Sequence, residues 1–404
     1  MSQDILDCRS DFPALKRTHH GLPLAYFDGP AGTQVPRQVI DAINHYYSSC
    51  NANTRGRFLT SHESDALLVE TRQWVAHYLN AEQEKTISFG ANMTSLTFAL
   101  AHAIGRSLQS GDEIVITQLD HEANRGPWLD LKEKGAILRE VHLQPDGTLD
   151  YDHFQSVLSD RTRVVAVGYA SNCLGTVNQL PLVRKLSRQV GALLVVDAVH
   201  YAPHFSIDVQ SLDADFLLCS AYKFYGPHVG ILYSRPGLLE KLQTDRLRTQ
   251  DEKAPYRIET GTLNHASIVG VKAAIEYIAG LGEGESCRQR IESAMERIAE
   301  YEHHLAYRLY EGLCQIQGIK VYGPTFKIIH RAPTVSFTVS GRTASQVADH
   351  LNEDAILTWD GHFYAIRPLE VLGLNELGGL LRVGMSLYNT EDEINRLLKS
   401  LASL

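Results

Sequence analysis

The sequence predicts an α/β protein built on a mostly parallel sheet, and three stretches carry that expectation. ALLVVDAVHYAPH at 192–204 is a continuous apolar run, the pattern of a parallel strand covered on both faces. RVVAVGYASNCLGTV at 163–177 opens with a second buried run. KTISFGANMTSLTFALAHAIG at 85–105 reads as strand, glycine turn and helix, with Met93, Leu96, Leu100, Ala103 and Ile104 on one helical face.

In chain order, Gly29, Pro30, Gly32 and Pro36 make residues 26–36 a loop that regular structure cannot accommodate. A short helix follows over 37–48. NANTRGRFLTSHESD at 51–65 is polar, contains Arg55 and Arg57, and taken alone is a solvated loop. Leu67, Leu68, Trp74, Val75, Tyr78 and Leu79 define the buried face of a helix from about Glu63 to Leu79. At 90–94 the glycine turn leaves the first helix amides free, so that Asn92, Met93 and Thr94 are candidates to hold an anion. A strand within 112–128 ends at Asp120 and His121. The run at 163–177 ends in Ser171 and Asn172, where an asparagine turn before Gly175 would by itself suffice. GLGEGES at 280–286 looks like a dinucleotide-binding glycine loop, but it follows a helical pattern and not a strand, which removes it. A helix from about Cys287 to Leu313 leads to a smaller unit with strands near 319–323 and 334–340, then helix, strand and helix.

Two strand ends concentrate the chemistry. ADFLLCSAYKFYGPHVGILY at 214–233 places Lys223 between apolar runs at Phe216–Cys219 and Val229–Tyr233. A lysine is rarely driven between buried strands unless its amine has a partner, although a surface lysine on a hairpin would fit this stretch alone equally well. Asp197 ends another run 26 residues upstream (223 minus 197). Alone it would serve as a helix N-cap. In open α/β sheets, ligands sit beyond the carboxyl ends of the strands. An aspartate and a lysine converging there are what pyridoxal phosphate requires: an amine to join its aldehyde, and an acid to keep its pyridine nitrogen protonated.

The 404 residues suffice for two domains, and 44% apolar with 21% charged content is ordinary for a soluble globular enzyme. A net charge of −9 (38 minus 47) without a basic stripe argues against a nucleic-acid partner. The start, MSQDILDCRSDF, is acidic and lacks the apolar core of a signal peptide. No stretch approaches the ~18–20 apolar residues of a membrane span. Cys8, Cys50, Cys173, Cys219, Cys287 and Cys314 are scattered with no CxxC. Neither a metal site nor a disulfide framework is therefore expected, and a cytoplasmic location is.

SAYKFYGPHVG resembles the S-x-x-K-x-x-G-P-x-G lysine motif of the class V aminotransferases, in the cysteine desulfurase-like branch. The likeness runs from YFDGPAGTQVP at 26–36 to LRVGMSLYNT at 381–390. It implies the pyridoxal-phosphate-dependent transferase fold type I. A large domain over 16–285 would hold a mostly parallel seven-stranded sheet, and a smaller α+β C-terminal domain would span 286–404 together with 1–15. Pyridoxal 5'-phosphate would be joined to Lys223 with Asp197 on its ring nitrogen. His121, in an E-H-x-A-N-like motif, would stack on the ring and shuttle a proton. Asn172, in S-N-x-x-G-T, would donate to the ring hydroxyl oxygen, and His200 stands where desulfurases usually have glutamine. Asn92, Met93, Thr94, Ser220 and Tyr222 would face the phosphate, Asn92 and Met93 replacing the family's usual hydroxyl residues and Tyr222 its common histidine. Gly261 and Thr262, in RIETGTLNHASIVG, would reach the phosphate of a neighbouring subunit, which implies a homodimer with shared active sites. Arg382 would bind the α-carboxylate of a small amino acid through its guanidinium fork, and Arg55 falls where the family keeps an arginine over the site. Cys173, beside Asn172, is read as a core residue and not a nucleophile.

One loop departs from the pattern. Where the resembling branch has R-x-G-H-H-C-A, with the sulfur-accepting cysteine, residues 359–365 read WDGHFYA. Tyr364 occupies the cysteine position, and no cysteine lies between 315 and 404. A phenol, with a reference pKa of ~10, cannot carry sulfane sulfur. The expected reaction is therefore β-elimination from cysteine or a related sulfur or selenium amino acid. Lys223 would take the Cα proton, a general-base task worth roughly 10²–10⁴ in rate, and Tyr364 or His121 would protonate the departing group. Transamination or epimerisation of an amino acid is the alternative. A catalytically degenerate partner subunit is a third reading, against which the joint presence of Lys223, Asp197, Asn172, His121 and Arg382 argues.

Overall fold

Seven strands form the central sheet of the computed structural model, which describes residues 5–327 and 330–404. They are β1 (Ile87–Gly90), β2 (Glu113–Thr117), β3 (Ile137–Val141), β4 (Thr162–Gly168), β5 (Leu193–Asp197), β6 (Phe216–Ser220) and β7 (Gly230–Ser234), in the spatial order β1-β7-β6-β5-β4-β2-β3. β7 is antiparallel to both β1 and β6, and every other pair is parallel. The reversal follows from the link over 221–229, which is too short for the crossover that a parallel pair needs.

Side chains alternate across the sheet, and both faces are covered. On β4, Val165 and Val167 enter one core with Val196, Leu217 and the helix face of Val75 and Leu79. Val164 and Ala166 enter the other with Val195, Leu218 and Met93, Leu96 and Leu100 of the helix Met93–Gly105. This two-sided burial is why the strands read as unbroken apolar runs.

The smaller sheet contains β8 (Ile319–Tyr322), β9 (Thr334–Val339), β10 (Trp359–Gly361) and β11 (Leu380–Gly384), in the order β8-β9-β11-β10 and antiparallel throughout. Ala25 and Phe27 lie in its core, and Ala25–Tyr26 pairs with Ile356–Leu357. Cys8, Phe12 and Leu15, by contrast, lie in the larger core. One helix, Cys287–Gln315, connects the two cores: Ile291, Met295 and Ile298 face the larger, while Leu305, Leu309 and Leu313 face the smaller. Ser286 and Gln289 form its capping box.

The helix expected from about Glu63 begins at Leu59. Its polar first turns are not a solvated face. Ser61 Oγ accepts from the Gly56 amide (2.7 Å) and donates to Asn53 O (2.6 Å), and Ser64 Oγ donates to Cys50 O (3.1 Å). Buried hydroxyls paired to the preceding loop extend the helix where composition suggests coil. Among the described residues, no helix is long and apolar enough to cross a membrane.

Candidate active site

Asp197 ends β5, and Lys223 follows β6 on the turn Ala221–Lys223; the two strands are parallel neighbours, with Asp197 opposite Leu218. Both side chains line one cavity, together with Asn92, Met93, Thr94, His121, Asn172, His200, Ser220 and Tyr222. Lys223 is 9% exposed, and its Nζ donates to Pro30 O and to Ala31 O (3.0 Å). Burial pushes this amine down to about 7; the Arg382 charge adds to the effect, while Asp28 and Asp197 oppose it. Burial pushes the Asp197 carboxyl up to about 6, against the Val199 N–H that donates to it (2.9 Å) and the Lys223 charge. Near neutral pH the aspartate is therefore ionised, and a large fraction of the lysine is uncharged.

His121 is buried beside two cations, Lys223 and Arg382; burial first, then those charges, push its imidazole down to about 4. Nδ1 accepts from the Ala123 amide (3.0 Å), which places the proton of the neutral ring on Nε2. Asp120, next to it, accepts from the Gly168 amide (2.7 Å) and is pushed up to about 7, by burial first.

The start of the helix Met93–Gly105 is less open than its sequence suggests. Asn92 is its N-cap and accepts from the Ser95 amide (2.9 Å), and the Met93 amide donates to Ser220 Oγ (3.0 Å). Asn92 and Met93 are thus engaged by protein groups, and Ser220 with them. Gly230 is needed here, because a Cβ at that position would overlap the Asn92 backbone. The Tyr222 ring stacks on His228 with centroids 4.7 Å apart.

Arg382 extends from β11 and is 2% exposed. One terminal nitrogen donates to Asn172 O (3.1 Å), the other lies 3.5 Å from Asp28 Oδ1, and Cζ stands 4.5 Å from the Phe363 ring centre. The loop bearing Phe363 and Tyr364 is tied down. Phe363 O accepts from Asn172 Nδ2 (2.9 Å), and Tyr364 O accepts from the Glu122 amide (2.8 Å). Both residues hold left-handed backbone, at φ 54 and 56, which L side chains rarely adopt. The Tyr364 ring is 5.8 Å from that of His121. One N–H of Asn172 Nδ2 is thus hydrogen-bonded to Phe363 O, which leaves the second for the cofactor oxygen that the resemblance implies. His200 Nε2 pairs with Thr334 Oγ1 (3.0 Å).

Arg55, Gly261 and Thr262 lie elsewhere. They line a separate cavity with Arg72 and Tyr256, so that within one chain they do not meet Lys223. Asp28 and Phe363 were not singled out from the sequence, and Asp120 was read only as a strand end. Asp28 sits inside YFDGPAG, a stretch read only for its glycines and proline, and an acid amid backbone-loop residues was the available signal.

The cavity fits pyridoxal 5'-phosphate. Asn172 Oδ1, His200 Nδ1, Asn178 Oδ1 and Asp120 Oδ2 are buried without a partner, on residues that line it. Unpaired buried polar atoms are costly, and together with a desolvated lysine and an ionised aspartate they suit a polar, ring-shaped ligand bearing an aldehyde.

Fold and site define a pyridoxal 5'-phosphate-dependent enzyme of fold type I. The aminotransferase class-V family matches residues 25–397, and the chain belongs to that family. It is similar to a probable cysteine desulfurase of Synechocystis, 35% identical over 410 residues that cover 97% of this chain and 94% of the relative. A cysteine desulfurase of Salmonella typhimurium is 34% identical over 412 residues, covering 98% and 97%. A solved cysteine desulfurase from Thermococcus onnurineus aligns with a TM-score of 0.90 at 28% identity, over 100% of this chain and 98% of that one. One from Escherichia coli gives 0.86 at 27%, with the same coverage. The chain is thus a cysteine desulfurase-like enzyme that uses pyridoxal 5'-phosphate.

Proposed function

We propose that this enzyme is a C–S lyase that cleaves cysteine, or a related sulfur- or selenium-bearing amino acid, by Cα deprotonation and β-elimination. Tyr364 is the observation that carries the reading. It stands on a pinned loop at the mouth of the Lys223 site, where the resembling branch places a sulfur-accepting cysteine. No cysteine lines the Lys223 cavity. Cys173, the residue after Asn172, is fully buried, and burial pushes its thiol up to about 12, so it is not a thiolate at neutral pH.

Bound at Lys223, the cofactor supplies an electron sink for the substrate Cα. Asp197 would hold the ring nitrogen, and Thr94, Ser220 and Tyr222 would face the phosphate. Arg382 orients the substrate by its carboxylate. Lys223, an amine that loses its proton near neutrality, accepts the Cα proton. His121, neutral with its proton on Nε2, or the Tyr364 phenol, returns a proton to the leaving group. Elimination needs no enzyme nucleophile for sulfur, which is what distinguishes it from desulfuration here.

The separation of Arg55, Gly261 and Thr262 from Lys223 supports a homodimer in which one subunit completes the other's site. The composition supports a cytoplasmic location. The deciding experiment is product identification. The loaded enzyme is incubated with cysteine, cystine, selenocysteine and alanine. Pyruvate and ammonia from the sulfur or selenium substrates are expected. Alanine with sulfane sulfur would overturn elimination in favour of desulfuration; a keto acid that retains the sulfur or selenium, or pyruvate formed from alanine, would overturn it in favour of transamination, and an inverted amino acid in favour of epimerisation.

A further inference from the structure

Next to Lys223 and Arg382 a second, open cleft is lined in part by aromatic side chains. Val35, Phe98, Trp359, Phe363 and Tyr364 give it an apolar portion, beside Asp28, Glu122 and His228 on the same lining. These apolar residues come from three separate parts of the chain. Phe363 is 3% exposed and stands against the Arg382 guanidinium, whereas Trp359 and Tyr364 are 42% and 61% exposed towards the mouth. The wall therefore begins at the carboxylate clamp and continues outwards. Trp359 lies on β10 and Phe98 on a helix, so both are held by regular structure. The segment between Trp359 and Ala365 is fixed by the Asn172 and Glu122 contacts and by the Ala365 amide on His362 O (2.7 Å). A preformed apolar wall of this extent has nothing to gain from a thiol hydrogen, because a cysteine held by Arg382 leaves the aromatic rings in water.

We infer that the substrate is a cysteine whose sulfur bears a bulky apolar group, a thioether, with that group seated on Phe98, Trp359 and Phe363. The inference rests on the proposed β-elimination and specifies its substrate class. The step balances without an added redox partner. The Cα–H bond breaks and its proton passes to Lys223; the Cβ–S bond breaks and the sulfur leaves with the bonding pair as a thiolate, which is then protonated. Hydrolysis of the three-carbon remainder by one water gives pyruvate and ammonium, so that R–S–CH₂–CH(NH₃⁺)–COO⁻ and H₂O become RSH, pyruvate and NH₄⁺.

The test compares cysteine, S-methylcysteine and S-benzylcysteine as substrates of the loaded enzyme, reading pyruvate and released thiol. A single added methylene in an apolar pocket is worth about 10- to 200-fold in selectivity, so kcat/KM for S-benzylcysteine is expected to exceed that for cysteine by at least roughly tenfold. Trp359→Ala, and independently Phe98→Ala, should raise KM for the benzyl substrate and leave its kcat and the S-methylcysteine kinetics nearly unchanged; Trp359→Phe should restore KM. Cysteine turned over as well as S-benzylcysteine, with pyruvate formed from both, overturns the thioether class and leaves elimination standing. Pyruvate from none of the three overturns elimination. In that case the dissociation constants of S-benzylcysteine and S-methylcysteine, read from the shift of the cofactor absorption band, still decide the wall's role. Tighter benzyl binding supports the inferred apolar seat, and equal binding overturns it.

Discussion

Replacing Arg382 with lysine keeps the charge and removes the fork. In the structure the guanidinium is 2% exposed and divides its two ends between Asn172 O at 3.1 Å and Asp28 at 3.5 Å, with Phe363 closing one face. A lysine ammonium in that space offers a single donor direction to a substrate carboxylate. The loss is about one charge-assisted hydrogen bond, worth ~1.5–3 kcal/mol. At ~1.4 kcal/mol per decade this is roughly 10- to 140-fold in binding. Solvent screening does not reduce it much, because the site is buried. The interaction exists equally in the bound and reacting states, so the change is expected in KM, with kcat altered far less. Initial rates of pyruvate release across a substrate concentration series separate the two, and a melting curve establishes that Arg382→Lys is folded. A folded variant whose KM stays within twofold of the parent would refute the assignment of Arg382 as the carboxylate clamp.

Three further outcomes are expected. Arg72→Leu strands the buried Glu259, which now receives Arg72 at 2.8 and 2.9 Å and the Phe89 amide at 2.7 Å. Breaking such a pair costs ~3–5 kcal/mol, and denaturant titration should show a loss of that order; a loss below about 1 kcal/mol contradicts the pairing. Covalent loading of the apo-protein requires the free Lys223 amine, which is pushed down to about 7. The loading rate should therefore be low in acid, rise through about pH 7 and level off above it, and Lys223→Ala should leave no borohydride-trapped adduct; a loading rate that still climbs steeply through pH 10 would mean an ordinary, solvated lysine. Tyr364→Cys places a thiol on the pinned loop, and alanine with sulfane sulfur should then appear from cysteine at the expense of pyruvate; an unchanged product ratio would show that this position does not separate the two reactions.

Elements set by local pattern were legible from the sequence. The ends of β5 and β6 were marked by Asp197 and Lys223 because unbroken apolar runs stop there, and double-sided burial makes such runs. The face of the helix Met93–Gly105 was legible from its 3.6-residue spacing, and all five residues assigned to it are buried. What escaped depends on partners far apart in the chain. Asp28 matters because it faces Arg382, 354 residues away, and Phe363 because it covers the same guanidinium. No periodicity encodes either contact. The early start of the helix Leu59–Leu79 was hidden because Ser61 and Ser64 look solvated in composition, yet are buried and bonded to 50–56. The Met93 amide looked free because Ser220, its acceptor, lies 127 residues on.

The edge position of β1 bears on how the protein is made. In the central sheet its one hydrogen-bonded neighbour is β7, and Gly90 pairs with Gly230, 140 residues downstream (230 minus 90). A ribosome that has released the chain only as far as Lys223 has delivered every polar group named for the cofactor within one subunit, but not the strand against which Asn92 rests. Until β7 threads between them, β1 and β6 both present open edges of the kind that recruit foreign strands. A stalled or truncated product ending before residue 230 is thus a candidate for aggregation instead of for a partly working enzyme.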